Sequence, residues 1–314
     1  MDLNNCKATR QSYGEELLAL GKEKNNIVVL DADLSKSTMT KLFSKEIPER
    51  FFDIGIAEQD MMATAAGLAT CNKIPFVSTF AVFACGRAYD QIRNSICYPN
   101  LNVKICATHG GITVGEDGAT HQMLEDFALM RVLPNMRVFC PSDDLQTKWL
   151  IRKMSSEKGP MYARMGRLKT PSIYDENDEF NIGGSYQFGY GKDGTIFACG
   201  MMVAEAIKAQ KILKENNIDV RVVDMYSIKP IDRDVIIKSA KETGVLISVE
   251  EHSVIGGLGS SISEVLTDEY PKKLTRIGIN DRFGKSGNAI QLMKYFKLTA
   301  EDIAQKMMIN LEIN

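Results

Sequence analysis

The chain has 314 residues, 44% of them hydrophobic and 25% charged, with 38 Lys+Arg against 40 Asp+Glu and a formal net charge of −2. That balance excludes a disordered chain and a nucleic-acid surface built on bulk positive charge. No apolar run approaches the ~20 residues of a membrane span, the start Met1-Asp2-Leu3-Asn4-Asn5-Cys6 has no apolar signal core, and the 7 cysteines are scattered without metal-ligand spacing; these features predict a cytoplasmic protein.

From Ile27 onward, short β-rich apolar runs alternate with helical patterns. Strand Ile27–Leu30 is followed by the strand-like run 50–54, helix Glu58–Thr70, strand Pro75–Phe80, helix Ala84–Tyr98 and strand Leu101–Thr108. Helix Gln122–Met130, strand Met136–Cys140, helix Asp143–Ser155 and strand Pro160–Arg164 continue the series. The polar stretch Thr170–Glu179 interrupts it and reads as a linker. A second series then runs through strand Gly194–Cys199, helix Val203–Glu215, strand Ile218–Asp224, helix Asp232–Lys241, strand Val245–Val249, helix Ser260–Tyr270 and strand Leu274–Ile279. Strands alternating with helices imply βαβ crossovers. The expected fold is therefore α/β with two domains, each a mostly parallel sheet flanked by helices: residues 1–170, a linker at 171–184, and residues 185–314. A ligand site is expected at the C-terminal ends of the strands.

Chemistry concentrates in the first unit. Glu58, in Gly55-Ile56-Ala57-Glu58-Gln59-Asp60, starts a helix among Ile54, Ile56, Met61 and Met62. A carboxylate so poorly placed for solvation pairs, takes up a proton or works on a bound heterocycle; it also suits a helix N-terminus on dipole grounds alone. Phe80 and Phe83 stand at a strand–helix junction, where their rings either join the core or pack on a planar ligand. The loop from His109 to His121 carries Gly110, Gly111, Gly115, Gly118 and Ala119, which allow close backbone approach, with His109, Asp117 and His121 as polar reach. Gly256-Gly257-Leu258-Gly259-Ser260, after His252, reads as a tight turn.

The segments Gly55–Asp60, Thr79–Phe83 and Thr108–Gln122 resemble the pyrimidine-binding half of transketolase, a thiamine diphosphate enzyme. The resemblance runs from Arg10 to the C-terminal region and covers only part of a whole transketolase. It implies that the first unit is a pyrimidine-binding domain and the second a transketolase C-terminal domain. It also implies that Glu58 hydrogen-bonds the cofactor's pyrimidine N1′ and that Phe80 and Phe83 stack on that ring, with Gly86 standing where many transketolases have tyrosine. His109 and His121 would contact sugar oxygens, making them catalytic groups with Glu58, and Asp117 would read the C2 hydroxyl. Arg167, Arg10 and Ser37 match the family's sugar-phosphate contacts.

The family's Gly-Asp-Gly metal motif has no match here; Glu116-Asp117-Gly118 and Lys192-Asp193-Gly194 lack its first glycine. The resemblance thus implies a C-terminal subunit of a split transketolase, whose partner resembles the N-terminal half and holds the diphosphate and most of the Mg²⁺ or Ca²⁺ coordination. An A₂B₂ heterotetramer transferring a two-carbon ketol unit between sugar phosphates is the expected working form. The rivals are a 1-deoxy-D-xylulose-5-phosphate synthase, a 2-oxo acid dehydrogenase β subunit and a catalytically silent assembly paralogue.

Overall fold

The computed structural model describes residues 2–313. Its strands are β1 (Asp2–Ala8), β2 (Ile27–Asp31), β3 (Phe51–Asp53), β4 (Ile74–Ser78), β5 (Lys104–Thr108), β6 (Arg137–Phe139) and β7 (Met161–Met165). Beyond them lie β8 (Lys169–Ser172), β9 (Tyr186–Phe188), β10 (Gly194–Ala198), β11 (Val220–Asp224), β12 (Ser227–Lys229), β13 (Val245–Ser253) and β14 (Leu274–Ile279). Among the described residues they form a seven-stranded sheet in the order β12-β6-β7-β5-β4-β2-β3, a five-stranded sheet β14-β13-β10-β11-β9 and a β1-β8 pair. All pairings in the two large sheets are parallel except those of β12 and β9, which run antiparallel at the edges. Strands β2, β5, β7, β10 and β11 are buried along their whole length, which is why they read as continuous apolar runs without alternation. No helix of the described residues is long and apolar enough to cross a membrane.

The helix Thr9–Glu23, ahead of β2, buries a narrow apolar stripe of Tyr13, Leu17 and Leu20, flanked by buried Thr9, Ser12, Gly14, Glu16 and Gly21. Close packing explains the glycines. A Cβ on Gly14 would lie 2.6 Å from the Met39 backbone oxygen, and one on Gly21 would lie 2.2 Å from the Phe43 ring. The expected continuous helix Ala84–Tyr98 is instead a short α-helical turn, Tyr89–Gln91, between wide-turned segments Phe83–Arg87 and Ile92–Cys97. Ala84, Ala88, Ile92 and Ile96 are all buried. A repeat of four drifts by about 40° per step on a 3.6-residue helix, and wider turns remove the drift.

The polar stretch after β7 is held more firmly than a linker composition suggests. Residues 169–172 form β8 against β1, and Asp143 anchors the chain just beyond β8. Its Oδ1 accepts from Gln146 N at 2.9 Å as the N-cap of the helix Asp144–Ser156, while Oδ2 accepts from Ile173 N at 2.9 Å and Tyr174 N at 3.1 Å. The second half also returns to the first sheet through β12, whose Ser227 and Lys229 pair with Phe139 and Val138. Below this joint, buried Asp224 accepts from Ser142 Oγ at 2.8 Å, Gln146 Nε2 at 3.0 Å and Tyr174 OH at 2.5 Å.

Asp143→Ala removes a helix cap and two charge-assisted bonds to the connecting chain, so unfolding free energy should fall by about 2–4 kcal/mol. Urea denaturation measures the total, and limited proteolysis should show new cleavage within 171–184. A loss below about 0.5 kcal/mol, within the range of an ordinary surface substitution, with an unchanged digest would show that this anchor is dispensable.

Candidate active site

Parallel strands point their C-terminal ends to one rim of the sheet, and the loops that leave this rim bear the residues singled out in the sequence. Glu58 follows β3, Phe80 and Phe83 follow β4, His109 follows β5, and Arg167 follows β7; Ser37 follows β2. Arg10, one residue into the helix Thr9–Glu23, meets that set by donating from Nη1 to the Ser37 carbonyl at 2.7 Å.

Glu58 begins the helix Glu58–Thr70 and is only 3% exposed. Among the described residues its carboxylate has no hydrogen-bond or ion-pair partner. A buried, unmatched carboxylate is costly to hold. Such a group is ready to accept from a donor brought by a ligand.

The four aromatic side chains expected at the site are joined through Phe80, which contacts the other three. Phe80 and Phe83 lie nearly parallel, at 10° with centroids 6.1 Å apart. His109 stacks on Phe80 at 3.9 Å, and His121 meets Phe83 edge-on at 5.4 Å and Phe80 at 6.4 Å. His109 takes a left-handed backbone (φ 59°), an uncommon conformation for a residue with a side chain, of the kind that gathers at functional sites. Its Nδ1 is paired with Thr108 Oγ1 at 2.8 Å; when the hydroxyl donates, Nε2–H remains as a donor. Burial, reinforced by the positive charges of Arg10 and Arg167, pushes its imidazole down to about 3. His121 is half-buried, with Nδ1 2.9 Å from Thr120 Oγ1. Asp117 is exposed on the same loop and stands outside this cluster of rings.

Arg10 and Arg167 line one cleft of ≈ 320 Å³ together with Gln11, Lys169, Glu116 and Asn288. Three cations in a small cleft suit a terminal oxyanion. Arg167 donates from Nη1 to the Val114 carbonyl and pairs with Glu116 Oε2 at 3.1 Å. An entering anion therefore competes with Glu116, an exposed group that can swing away. Lys169 and Asn288 were not singled out in the sequence: an isolated lysine and an Asn that caps a helix, accepting from Ile290 N at 3.0 Å, carry no local signal of their position in the cleft. The same holds for Arg164 and Glu251, which, together with Gln122 at the end of the histidine motif, brace the loop.

A histidine whose folded pKa lies below its unfolded value stabilises the fold above about pH 6.5, and that stability is lost as pH falls toward the folded pKa of about 3. Comparing wild type with His109→Gln by urea unfolding isolates this proton. The stability difference should shift against wild type by up to about 2 kcal/mol between pH 7 and pH 5, at roughly 1.4 kcal/mol per pH unit below 6.5. A difference independent of pH would mean that His109 titrates normally.

Residues 6–172 match the family model described as the transketolase pyrimidine binding domain, and residues 188–303 match the transketolase C-terminal domain. The chain is 54% identical over 305 residues to a protein of Methanocaldococcus jannaschii described as a transketolase C-terminal section, covering 96% of each. It is 38% identical over 302 residues to the transketolase of Homo sapiens, covering 95% of this chain and 48% of the human one. Among solved structures, a split-gene transketolase described as an inactive β4 tetramer matches with a TM-score of 0.90 at 52% identity, over 97% of this chain and 98% of that one. None of these favours a deoxyxylulose-phosphate synthase or a 2-oxo acid dehydrogenase. The chain belongs to the transketolase family, as a subunit equivalent to its C-terminal half.

Proposed function

We propose that this chain is the C-terminal subunit of a split, cytoplasmic transketolase, active only with an N-terminal-half partner, moving a two-carbon ketol unit reversibly from a ketose phosphate to an aldose phosphate. In this reading residues 1–170 form the pyrimidine-binding domain, 171–184 the connection and 185–314 the C-terminal domain. The carrying observation is the buried Glu58 carboxylate without a partner, on the same sheet rim as the parallel Phe80 and Phe83 rings. An apolar wall with one unmatched acceptor fits the aminopyrimidine half of thiamine diphosphate. The partner would hold the diphosphate and its Mg²⁺ or Ca²⁺, in an A₂B₂ assembly with each site between unlike chains. The description of the 52% identical neighbour as an inactive β4 tetramer supports the need for a second kind of chain.

When bound, thiamine diphosphate supplies the nucleophilic carbon that takes up the ketol unit. Glu58 would share a proton with pyrimidine N1′, the general acid–base contribution this chain makes. Phe80 and Phe83 would orient the ring. His109, neutral near pH 7, would donate from Nε2 to a sugar oxygen, His121 would reach a second, and Asp117 would read the C2 hydroxyl. Arg10 and Arg167 would hold the sugar phosphate, with the Ser37 loop keeping Arg10 in place.

Reconstitution tests the reading. The chain alone should not turn over, and with its N-terminal partner and thiamine diphosphate it should. Glu58→Gln and Glu58→Ala should assemble with the partner yet slow deuterium exchange at cofactor C2, read by NMR, by about 10²–10⁴. Exchange at wild-type rate in both variants would reduce Glu58 to a helix-terminal structural residue. Arg167→Ala should lower kcat/KM for phosphorylated acceptors by about 10- to 100-fold while sparing non-phosphorylated aldehydes; equal losses for both would assign Arg167 a structural role.

A further inference from the structure

The loop from His109 to His121 rests on the C-terminal domain, and its most direct support is Glu251 on β13. Glu251 is buried, and its Oε1 accepts from the Thr113 backbone N–H at 2.5 Å. Gly111 has φ 83°, and a Cβ there would lie 2.2 Å from the Glu251 carboxyl carbon, so the loop backbone passes directly over this carboxylate. The same strand reaches the neck of the loop. Gly111 N donates to the Met123 carbonyl at 2.8 Å, closing the neck. Arg164 Nη2 donates to both the Met123 carbonyl at 2.9 Å and the Glu251 carbonyl at 3.0 Å, and Ser253 N donates to the Leu124 carbonyl at 2.8 Å. On the far side, buried Gln122 Nε2 reaches the carbonyls of Ile112 and Gly115 at 3.1 and 3.2 Å and that of Lys285 at 2.9 Å.

We propose that Glu251 is a positioning residue for the transketolase reaction: its carboxylate fixes the Thr113 amide and so sets the height of His109 and His121 above the Phe80 and Phe83 rings. The inference rests on the function proposed above and deepens it, giving the C-terminal domain a part in substrate recognition. The physical reason is one of geometry. The loop is rich in glycine, and its shape is set by contacts outside itself. His109 sits four residues from Thr113 and stacks on Phe80 at 3.9 Å, so a shift of the loop floor transmits directly to the ring. Small misplacements of substrate-positioning groups cost large factors in rate. Glu251's hydrogen bonds go to the Thr113 amide and to Arg164, not to either histidine ring, which separates its effect from cofactor activation at Glu58.

The test compares Glu251→Ala and Glu251→Gln with wild type in two assays. In the isolated chain, hydrogen exchange by mass spectrometry should show Glu251→Ala losing protection in peptides covering 109–123, with the helix Glu58–Thr70 unchanged. Glu251→Gln, which keeps an oxygen acceptor, should retain it. In the complex reconstituted with the N-terminal partner, Glu251→Ala should lower kcat/KM for a ketose phosphate by about 10- to 100-fold. Its cofactor C2 exchange without sugar should stay at the wild-type rate, and Glu251→Gln should recover most of the loss. Unchanged kcat/KM in Glu251→Ala, or a loss of protection spread equally over the whole domain, overturns the proposal. Failure of the wild-type complex to turn over ketose phosphates would instead overturn the functional reading, while the hydrogen-exchange result would still decide whether Glu251 holds the loop.

Discussion

Arg164 leaves β7 with 5% of its surface exposed, and the polar groups around it come from separate segments. Nε lies 3.3 Å from Asp126 Oδ2, Nη2 serves the Met123 and Glu251 carbonyls, and the guanidinium carbon stands 4.6 Å from the Phe127 ring centre. Removing an ion from water costs several kcal/mol, so such a pair persists only when its remaining donors and acceptors are matched. Tyr162 supplies one such match, donating to Asp126 Oδ2 at 2.7 Å. Losing either ion, Arg164 or Asp126, leaves the other buried and uncompensated, a penalty of about 3–5 kcal/mol. The first sheet, the helix after the histidine loop and β13 are therefore held in one register.

The approach is close enough to dictate sequence. A Cβ on Gly110 would lie 1.9 Å from Arg164 Nε, so the residue after His109 must be glycine if the guanidinium is to reach the loop neck. His109, at φ 59°, is thus the last side chain the strand can present before the backbone passes over buried charge. Its ring has to turn toward Phe80, where burial and two nearby arginines keep it neutral. Strain, neutrality and stacking at this residue share one cause: a polar group brought to the rim by a fully buried strand.

Much of the fold was legible because buried parallel strands announce themselves as short runs of Val and Ile, as in Ile27–Asp31 and Val220–Asp224. The helix Thr9–Glu23 was harder to read because its apolar stripe is only three residues, Tyr13, Leu17 and Leu20, diluted by buried glycine and polar neighbours. At the site, the residues legible in sequence were those in dense local motifs. Glu58, Phe80, Phe83, His109 and His121 stand near others of their kind in the chain. Glu251, Arg164 and Asn288 act on them from distant parts of the sequence: the pairing of β7 with β5 places Arg164 beside the histidine loop, β13 carries Glu251 to it, and Asn288 arrives ahead of the helix Ala289–Tyr295. Asp117 illustrates the converse, a residue set in the motif whose side chain faces solvent in the free chain.

The rim has features of a surface suited to being covered. Ile56 is 79% exposed and Phe52 39% exposed, beside a glutamate that is 3% exposed and unpaired. A single folded chain gains nothing from holding a largely buried, unpaired glutamate while two apolar groups nearby in the chain stay in water, since both arrangements oppose stability. The same arrangement is favourable if another surface closes over Ile56 and Phe52 while a hydrogen-bond donor reaches Glu58, because burying the apolar groups then also strengthens the bond to the carboxylate. On this view the C-terminal domain and the proposed partner act on opposite sides of the loops. Glu251 and Gln122 fix the loop backbone from within the chain, and the partner would complete the cavity from outside it. On that reading this chain can fold with its ring cluster already assembled, yet leave Glu58 without a partner of its own.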